Sequence, residues 1–568
     1  MVAGELVMED ENLLNFLVYP LSDFDVYEDE LKCIRTLRKK LSSHKINNCI
    51  KEILKNVKDR ASLFSWTRVN STLCSIAIQL LWSCPFSDLK WPRDHHKGYL
   101  LIRTYIACLS KDKKQHLIDE GYDMINYYGE ALFDYPSFLK ELDIGNVQYS
   151  ICQWWNETAD YRLRRKTKIP VLESTMLEML FNNNYGLKSL NCRLQTCYNI
   201  PNFSSFKGIQ QSISQLTELQ IDCSSNDNEG YMIELIDVII KNSQNIHTLV
   251  ITPPSLPQQQ YEINILSSKL QTLIESQNNL EVIYTTLPYS GIFDPISSAS
   301  IFSALASQTD SITELDLRKM FIDWNSLEIL AKCYNLKSLT LVNCYQEKDI
   351  NNIMFPEPSL PLPLSEVTAT SIVMMARQNL KELVIDFITP ELSKFIKQQQ
   401  IPNLDSLSIR TLQINELQKW LKQSKLVHLA LSDVSNNSEL FSLTNSYQLG
   451  KLLPETLNHL QIECRYNIAP ESLTILLENS NCRNLQVLSL DVEIFNDTLL
   501  EVVADYSREN GRVLKELRIA NDTLLEYDKN LCRKLSNVIP FINQDYIDTW
   551  PILSERRDPL WKNVMSFV

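Results

Sequence analysis

Apolar positions along this chain return in one short arrangement, Leu/Ile-x-x-Leu/Ile-x-Leu/Ile. It reads LTELQI from Leu216, IHTLVI from Ile246, ITELDL from Ile312, LKSLTL from Leu336 and LKELVI from Leu380. Further copies are LDSLSI from Leu404, LVHLAL from Leu426, LNHLQI from Leu457, LQVLSL from Leu485 and LKELRI from Leu514, with weaker ones at Leu139, Leu187 and Leu280. The L-x-L alternation is that of a strand with one face buried. Helical spacing follows it: NSLEILAKCYN (325–335) places Leu327, Leu330 and Ala331 on one face, and TLLEVVADYSREN (498–510) does so with Leu499, Val502, Val503 and Tyr506. A single strand and helix cannot bury that apolar face, so the copies must stack, and the pattern predicts an α/β solenoid.

From Leu187 onward successive copies begin between 22 residues (Leu404 to Leu426) and 44 residues (Leu336 to Leu380) apart. Most intervals sit in or near the ~20–29 residues of leucine-rich repeats. An asparagine precedes the first apolar position at Asn335, Asn379, Asn403 and Asn484. The expected fold is a leucine-rich-repeat horseshoe with a parallel sheet on its concave face and helices outside, over residues 131–541. A helical module and linker helix (45–130) precede it, an acidic extension (1–44) precedes the module, and residues 542–568 form a C-terminal cap. MFPEPSLPLPLSE (354–366) and TPPSLPQQQ (252–260) break the pattern with prolines. They read as rim loops, either tolerated insertions or parts of a binding mouth.

Side chains alternating with the leucines face the concave surface. The candidates for holding a target are Glu218, Asp222, Glu314, Asp316, Arg318, Glu382, Asp386, Arg410, His428, His459, Glu463, Asp491, Glu516 and Arg518. Nine are acids and three are arginines, against 69 acids and 55 bases in the whole chain, an excess that points to a protein target with a basic segment. The plainer alternative is a merely solvated face. No Ser/His/Asp, Cys/His or paired-carboxylate constellation stands out, so no enzymatic activity, cofactor or metal is expected.

Composition narrows the partners further. A net charge of −14 opposes a nucleic-acid partner. Eleven glycines are too few for an enzyme built on several glycine-rich phosphate loops. The first residues, MVAGELVMEDENLLNFLVYP, carry acids where an export signal carries bases, and no apolar run approaches the ~20 residues of a membrane span. Fourteen cysteines lie without framework spacing and read as reduced, mostly buried thiols, so a cytoplasmic or nuclear location is expected. The sequons at Asn156 and Asn496 should then be silent.

Ahead of the repeats, KINNCIKEILKNVK (45–58) places Ile46, Ile50, Ile53, Leu54 and Val57 on one helical face. LFSWTRVNSTLCSIAIQLLWSCPF (63–86) continues the helical spacing through Trp66, Val69, Leu73, Ile76, Ala77, Leu80 and Leu81 as far as Trp82 and Pro85. These two stretches, with LLIRTYIACLSKDKKQHL (100–117) and ALFDYPSFLKEL (131–142), resemble the F-box of the large fungal group of F-box-like leucine-rich-repeat proteins. Asn70, Cys74, Ala77 and Trp82 match positions typical of that group. The Leu-Pro that usually opens an F-box is replaced by Lys45-Ile46-Asn47, and Leu73 stands where an aromatic is usual. The resemblance implies docking on a Skp-type adaptor, and through it a cullin, with Ile50, Ile53, Leu54, Leu63, Val69 and Leu73 in the F-box core or facing the adaptor. The implied function is the substrate receptor of a Skp–cullin–F-box ubiquitin ligase. The alternative is a non-ligase repeat scaffold whose F-box-like helices only cap the solenoid.

Overall fold

The computed structural model describes most residues between 51 and 546; residues 1–50, 347–372, 527–540 and 547–568, with shorter stretches elsewhere, are not described. The N-terminal extension, Ile50, most of both proline-rich breaks, Arg410 and most of the C-terminal cap therefore lie outside the described residues. The chain divides into two compact units, Met1–Leu249 with Ser276–Asn278, and Val250–Glu275 with Asn279–Val568.

The first unit opens with helices. The apolar spacing of 63–82 predicts continuous helix, but two helices form, Arg60–Thr67 and Ser71–Leu81. Asn70 separates them: its extended backbone ends one helix, and its Oδ1 accepts the Leu73 amide at 2.9 Å as the N-cap of the next. The stretch 100–117 is divided in the same way into His95–Ala107 and Lys111–Asp119, the second capped by Ser110. Trp82, Tyr105 and Tyr135 pack as one aromatic group in which the Trp82–Tyr135 ring centroids lie 4.2 Å apart, tying these helices to the start of the repeats.

Strands Glu141–Asp143, Ser189–Cys192 and Glu218–Asp222 then pair in parallel, with Leu142, Leu190 and Leu219 in register. In the second unit ten strands run in parallel order: Val282–Thr286, Glu314–Arg318, Ser338–Val342, Glu382–Ile385, Ser406–Ile409, His428–Asp433, His459–Cys464, Val487–Asp491, Glu516–Ala520 and Phe541–Tyr546. The last of these crosses the boundary drawn at residue 541. Helices such as Trp324–Ala331, Leu443–Leu452 and Asp497–Glu509 return the chain between strands. The chain is a leucine-rich-repeat solenoid in the plain sense: one strand per repeat, parallel neighbours, and leucines buried in a continuous row.

A backbone contact sets the register. The residue just before each strand offers its carbonyl to two successive amides of the next repeat: Lys140 to Lys188 and Ser189, Thr313 to Lys337 and Ser338, Lys381 to Asp405 and Ser406, Val427 to Asn458 and His459. Ser83, at the end of the helical module, does the same for Lys140 and Glu141. The module thus occupies the place of a preceding repeat.

Polar side chains reinforce the stacking. The asparagines before the leucines donate Nδ2–H to the preceding repeat: Asn335 to the Asp310 carbonyl, Asn379 to Tyr334 and Asn403 to Gln378, all within 2.8 Å. Two buried glutamines bridge in both directions. Gln277 accepts the Ile246 amide and donates to the Ser243 carbonyl, and Gln308 accepts the Leu280 amide and donates to the Ile274 carbonyl. Replacing Gln308 with leucine removes both bridges and leaves a buried amide and carbonyl short of partners. Gln308→Leu should cost about 3 kcal/mol in denaturant unfolding, with an unchanged circular dichroism spectrum.

The first unit also buries a carboxylate. Glu173 accepts a hydrogen bond from Gln148 Nε2, but its Oε2 has no partner. Burial raises its pKa from 4.5 to about 7, with the Gln148 contact opposing. A carboxyl with a raised folded pKa holds its proton better folded than unfolded, so its stability contribution falls as pH rises from 4.5 to about 7. Glu173→Gln should therefore gain up to about 3 kcal/mol over the parent chain at pH 7.5 and little at pH 4.5. Equal gains at both pH values in chemical denaturation would refute this.

Candidate interaction surface

The alternation that buries leucine at every second strand position lines up the remaining side chains in rows. In the second unit one row runs Glu314, Ser338, Glu382, Ser406, His428, His459, Val487 and Glu516. The next runs Tyr284, Asp316, Thr340, Val384, Ser408, Ala430, Gln461, Ser489 and Arg518. Register therefore brings together candidates from separate repeats. Glu218 and Asp222 belong to the first unit, where Glu218 is exposed and Asp222 half-buried.

At one side of this alternate face sits a carboxylate group. Tyr284 donates its hydroxyl to Glu314 at 2.6 Å, and Arg318 clasps Asp316 with two bonds, Nε to Oδ1 at 2.9 Å and Nη2 to Oδ2 at 2.8 Å. Burial raises the Glu382 carboxyl, a Ser338 hydrogen bond opposes this, and the charges of Glu314 and Asp316 add to the rise. Burial, and behind it the bond to Glu314, also pushes the Tyr284 hydroxyl above its usual range. Tyr284 escaped the sequence reading because its repeat copy is weak; the one signal was the alternation Ile283, Thr285 about it. Asp386 turns inward to the chain itself, its Oδ2 accepting the Asn343 amide at 2.6 Å, where the backbone takes a φ of 52°.

Toward the other side the His428 and His459 rings meet edge to face at 5.5 Å. His459 Nε2 lies 2.8 Å from Ser489 Oγ, and Arg518 pairs with Glu516 at 2.9 Å. Burial first, then the Arg518 charge and His428, pull the His459 pKa down to about 3. Burial lowers His428 as well, and Arg518 adds to this while Asp405 opposes it. A base this weak is a poor proton acceptor for Ser489 at neutral pH; the pair can exchange hydrogen bonds but is badly matched to general-base work.

Two expectations need correction. Asp316, His459 and Glu463, read as outward-facing, are buried, as are Ser406, Ser408, Ala430 and Ser432 beside them. In the module Leu54, Leu63 and Leu73 are buried, which fits the core half of the F-box expectation and not the adaptor-facing half. Ile53 is half-buried, and Val69 at the turn between the two helices is 46% exposed.

A comparison with protein-family models finds none that matches. No curated protein matches either. Among solved structures the chain is similar to one described as "Crystal structure of TLR13-ssRNA13 complex", at 14% identity and a TM-score of 0.32 over 65% of this chain. The chain spans half the length of that protein. No described helix is long and apolar enough to cross a membrane.

The buried imidazole yields a test. A histidine with a lowered folded pKa costs stability as pH falls below its unfolded value of ~6.5, and the loss continues down to the folded value. His459→Gln should remove about 2 kcal/mol of the stability difference between pH 7 and pH 5. The comparison is urea unfolding of parent and variant at the two pH values.

Proposed function

We propose that this chain acts by holding proteins and not by catalysis, as the target-binding subunit of a Skp–cullin–F-box ubiquitin ligase. The carrying observation is the helical module. Among its described residues Leu54, Leu63, Trp66 and Leu73 are buried, Ser83 joins it to the first strand by the same carbonyl contact that joins repeats, and Val69 stands exposed between Arg68 and Asn70. One side of the module is spent on the solenoid and the Val69 corner is left for an adaptor. A target on the alternate face would then be held near the conjugating enzyme, and the rate gain would come from proximity.

A specific observation favours a second reading, a repeat scaffold that recruits no ligase. Leu54, Leu63 and Leu73, which the F-box resemblance allows to face the adaptor, are consumed by the module's own packing. The Ser83 contact is what a cap alone would need.

The two readings separate at Val69. Val69→Asp changes an exposed residue and should leave folding stability within about 0.5 kcal/mol. Under the ligase reading the parent chain co-purifies with a Skp-type adaptor and Val69→Asp loses at least tenfold in affinity. A folded parent chain that captures no adaptor leaves the scaffold reading.

A further inference from the structure

Charge in the first unit is sorted by position. Lys140, Lys188 and Thr217 stand just before its first three strands, whereas the carboxylates Glu141 and Glu218 come one residue later, at the first strand position. Lys140 and Lys188 are neighbours through the backbone, the Lys140 carbonyl accepting the Lys188 amide at 2.7 Å. The turns that carry them are clamped by buried Asn184, whose Oδ1 accepts the Gly186 amide at 2.8 Å and whose Nδ2 donates to the Leu139 carbonyl. Lys140 lies along the second turn, its Nζ donating to the Gly186 carbonyl at 3.3 Å. Partial burial there, then the charges of Lys188 and Lys51, hold the Lys140 ammonium below its usual range. Lys51 comes from the helical residues 51–54 of the module. Lys51, Lys140 and Lys188 are all exposed, and among the described residues none of them makes an ion pair. Tyr185, on the same turn as Gly186, is 64% exposed.

We propose that this strand-entrance corner of the first unit, formed by Lys51, Lys140, Lys188 and Tyr185, docks an acidic segment of a partner protein. The segment is a run of aspartates or glutamates with an apolar residue beside it. Adjacent strands stand ~4.8 Å apart, so lysines on successive entrance turns can each meet a separate carboxylate of one extended chain. None of the three cations is an arginine, whose planar fork matches phosphate; a lysine is a point charge that suits a single carboxylate. Arriving carboxylates relieve a repulsion among ammoniums that no carboxylate of the chain itself relieves. The clamped turns hold the lysine backbones in place before binding, which lowers its entropic cost. Tyr185 offers an apolar ring next to the charges.

The partner chemistry is the reverse of the basic segment expected at the alternate face, and the site stands whether or not the module recruits an adaptor. A nucleic acid is the poorer occupant, because a chain of net charge −14 repels a long polyanion beyond the corner itself.

Fluorescence anisotropy of a labelled hexaglutamate peptide with the full chain tests this. The parent chain should bind in low-salt buffer and release the peptide as salt is added. Lys140→Gln with Lys188→Gln should weaken binding by about tenfold or more. Lys241→Gln with Lys422→Gln removes the same charge from exposed lysines elsewhere and should change it by less than about twofold. Urea unfolding reports whether each variant is folded; if the first pair unfolds the chain, Lys51→Gln with Lys188→Gln replaces it and should show the same loss. No binding by the parent chain, or equal losses in the corner and control variants, overturns the proposal. An oligothymidylate of equal charge that displaces the peptide at lower concentration overturns it in favour of a nucleic acid. Self-association of the parent chain in sedimentation, abolished by the corner variant, overturns it in favour of a second copy.

Discussion

Everything in this fold depends on one repeated contact, the carbonyl ahead of each strand that accepts two amides from the next repeat. It fixes strand register at the strand entrance, before any side chain acts. Because side chains alternate with a period of two, a slip of one residue would turn every leucine outward and every carboxylate inward. With register fixed, Leu339, Leu383, Leu407, Leu429, Leu460 and Leu488 fall into a single row, and the intervening residues must fall into rows of their own. The candidate surface is thus a by-product of the packing rule. The Ser83 contact extends the rule to the helical module, whose leucines close its own core while its last carbonyl serves the solenoid.

A solenoid must also satisfy the backbone where strand gives way to return segment, since those amides and carbonyls have no sheet partner. Two solutions appear. Exposed asparagines reach the preceding repeat's carbonyl, in positions where water can substitute for them. The buried glutamines use both ends of the amide group, and there nothing else can. The same chemistry at Asn335 and at Gln308 therefore carries different weight, set by burial.

These differences explain what the sequence made legible. The strands, their order and the leucine rows follow from periodicity, because repetition multiplies a weak local signal. The asparagines were visible for the same reason. Gln277 and Gln308 were not, since two copies form no pattern. The helix break at Asn70 was hidden because apolar spacing runs straight through it, and a cap depends on one side chain's geometry. The candidate surface was half legible. Alternation placed the right residues on one face, but alternation carries no information about cover, so the burial of Asp316, His459 and Glu463 could not be read from it.

Cover, in turn, follows from how side-chain size is distributed across the face. Long charged residues, Glu314 and Arg318 on one side and Glu516 and Arg518 on the other, pair with close neighbours and stand partly in water. Between them serine, threonine, valine and alanine are interspersed with Glu382, His428, His459 and Gln461. The buried serine hydroxyls and the Val342–Val384–Ala430 cluster lie between these charged positions.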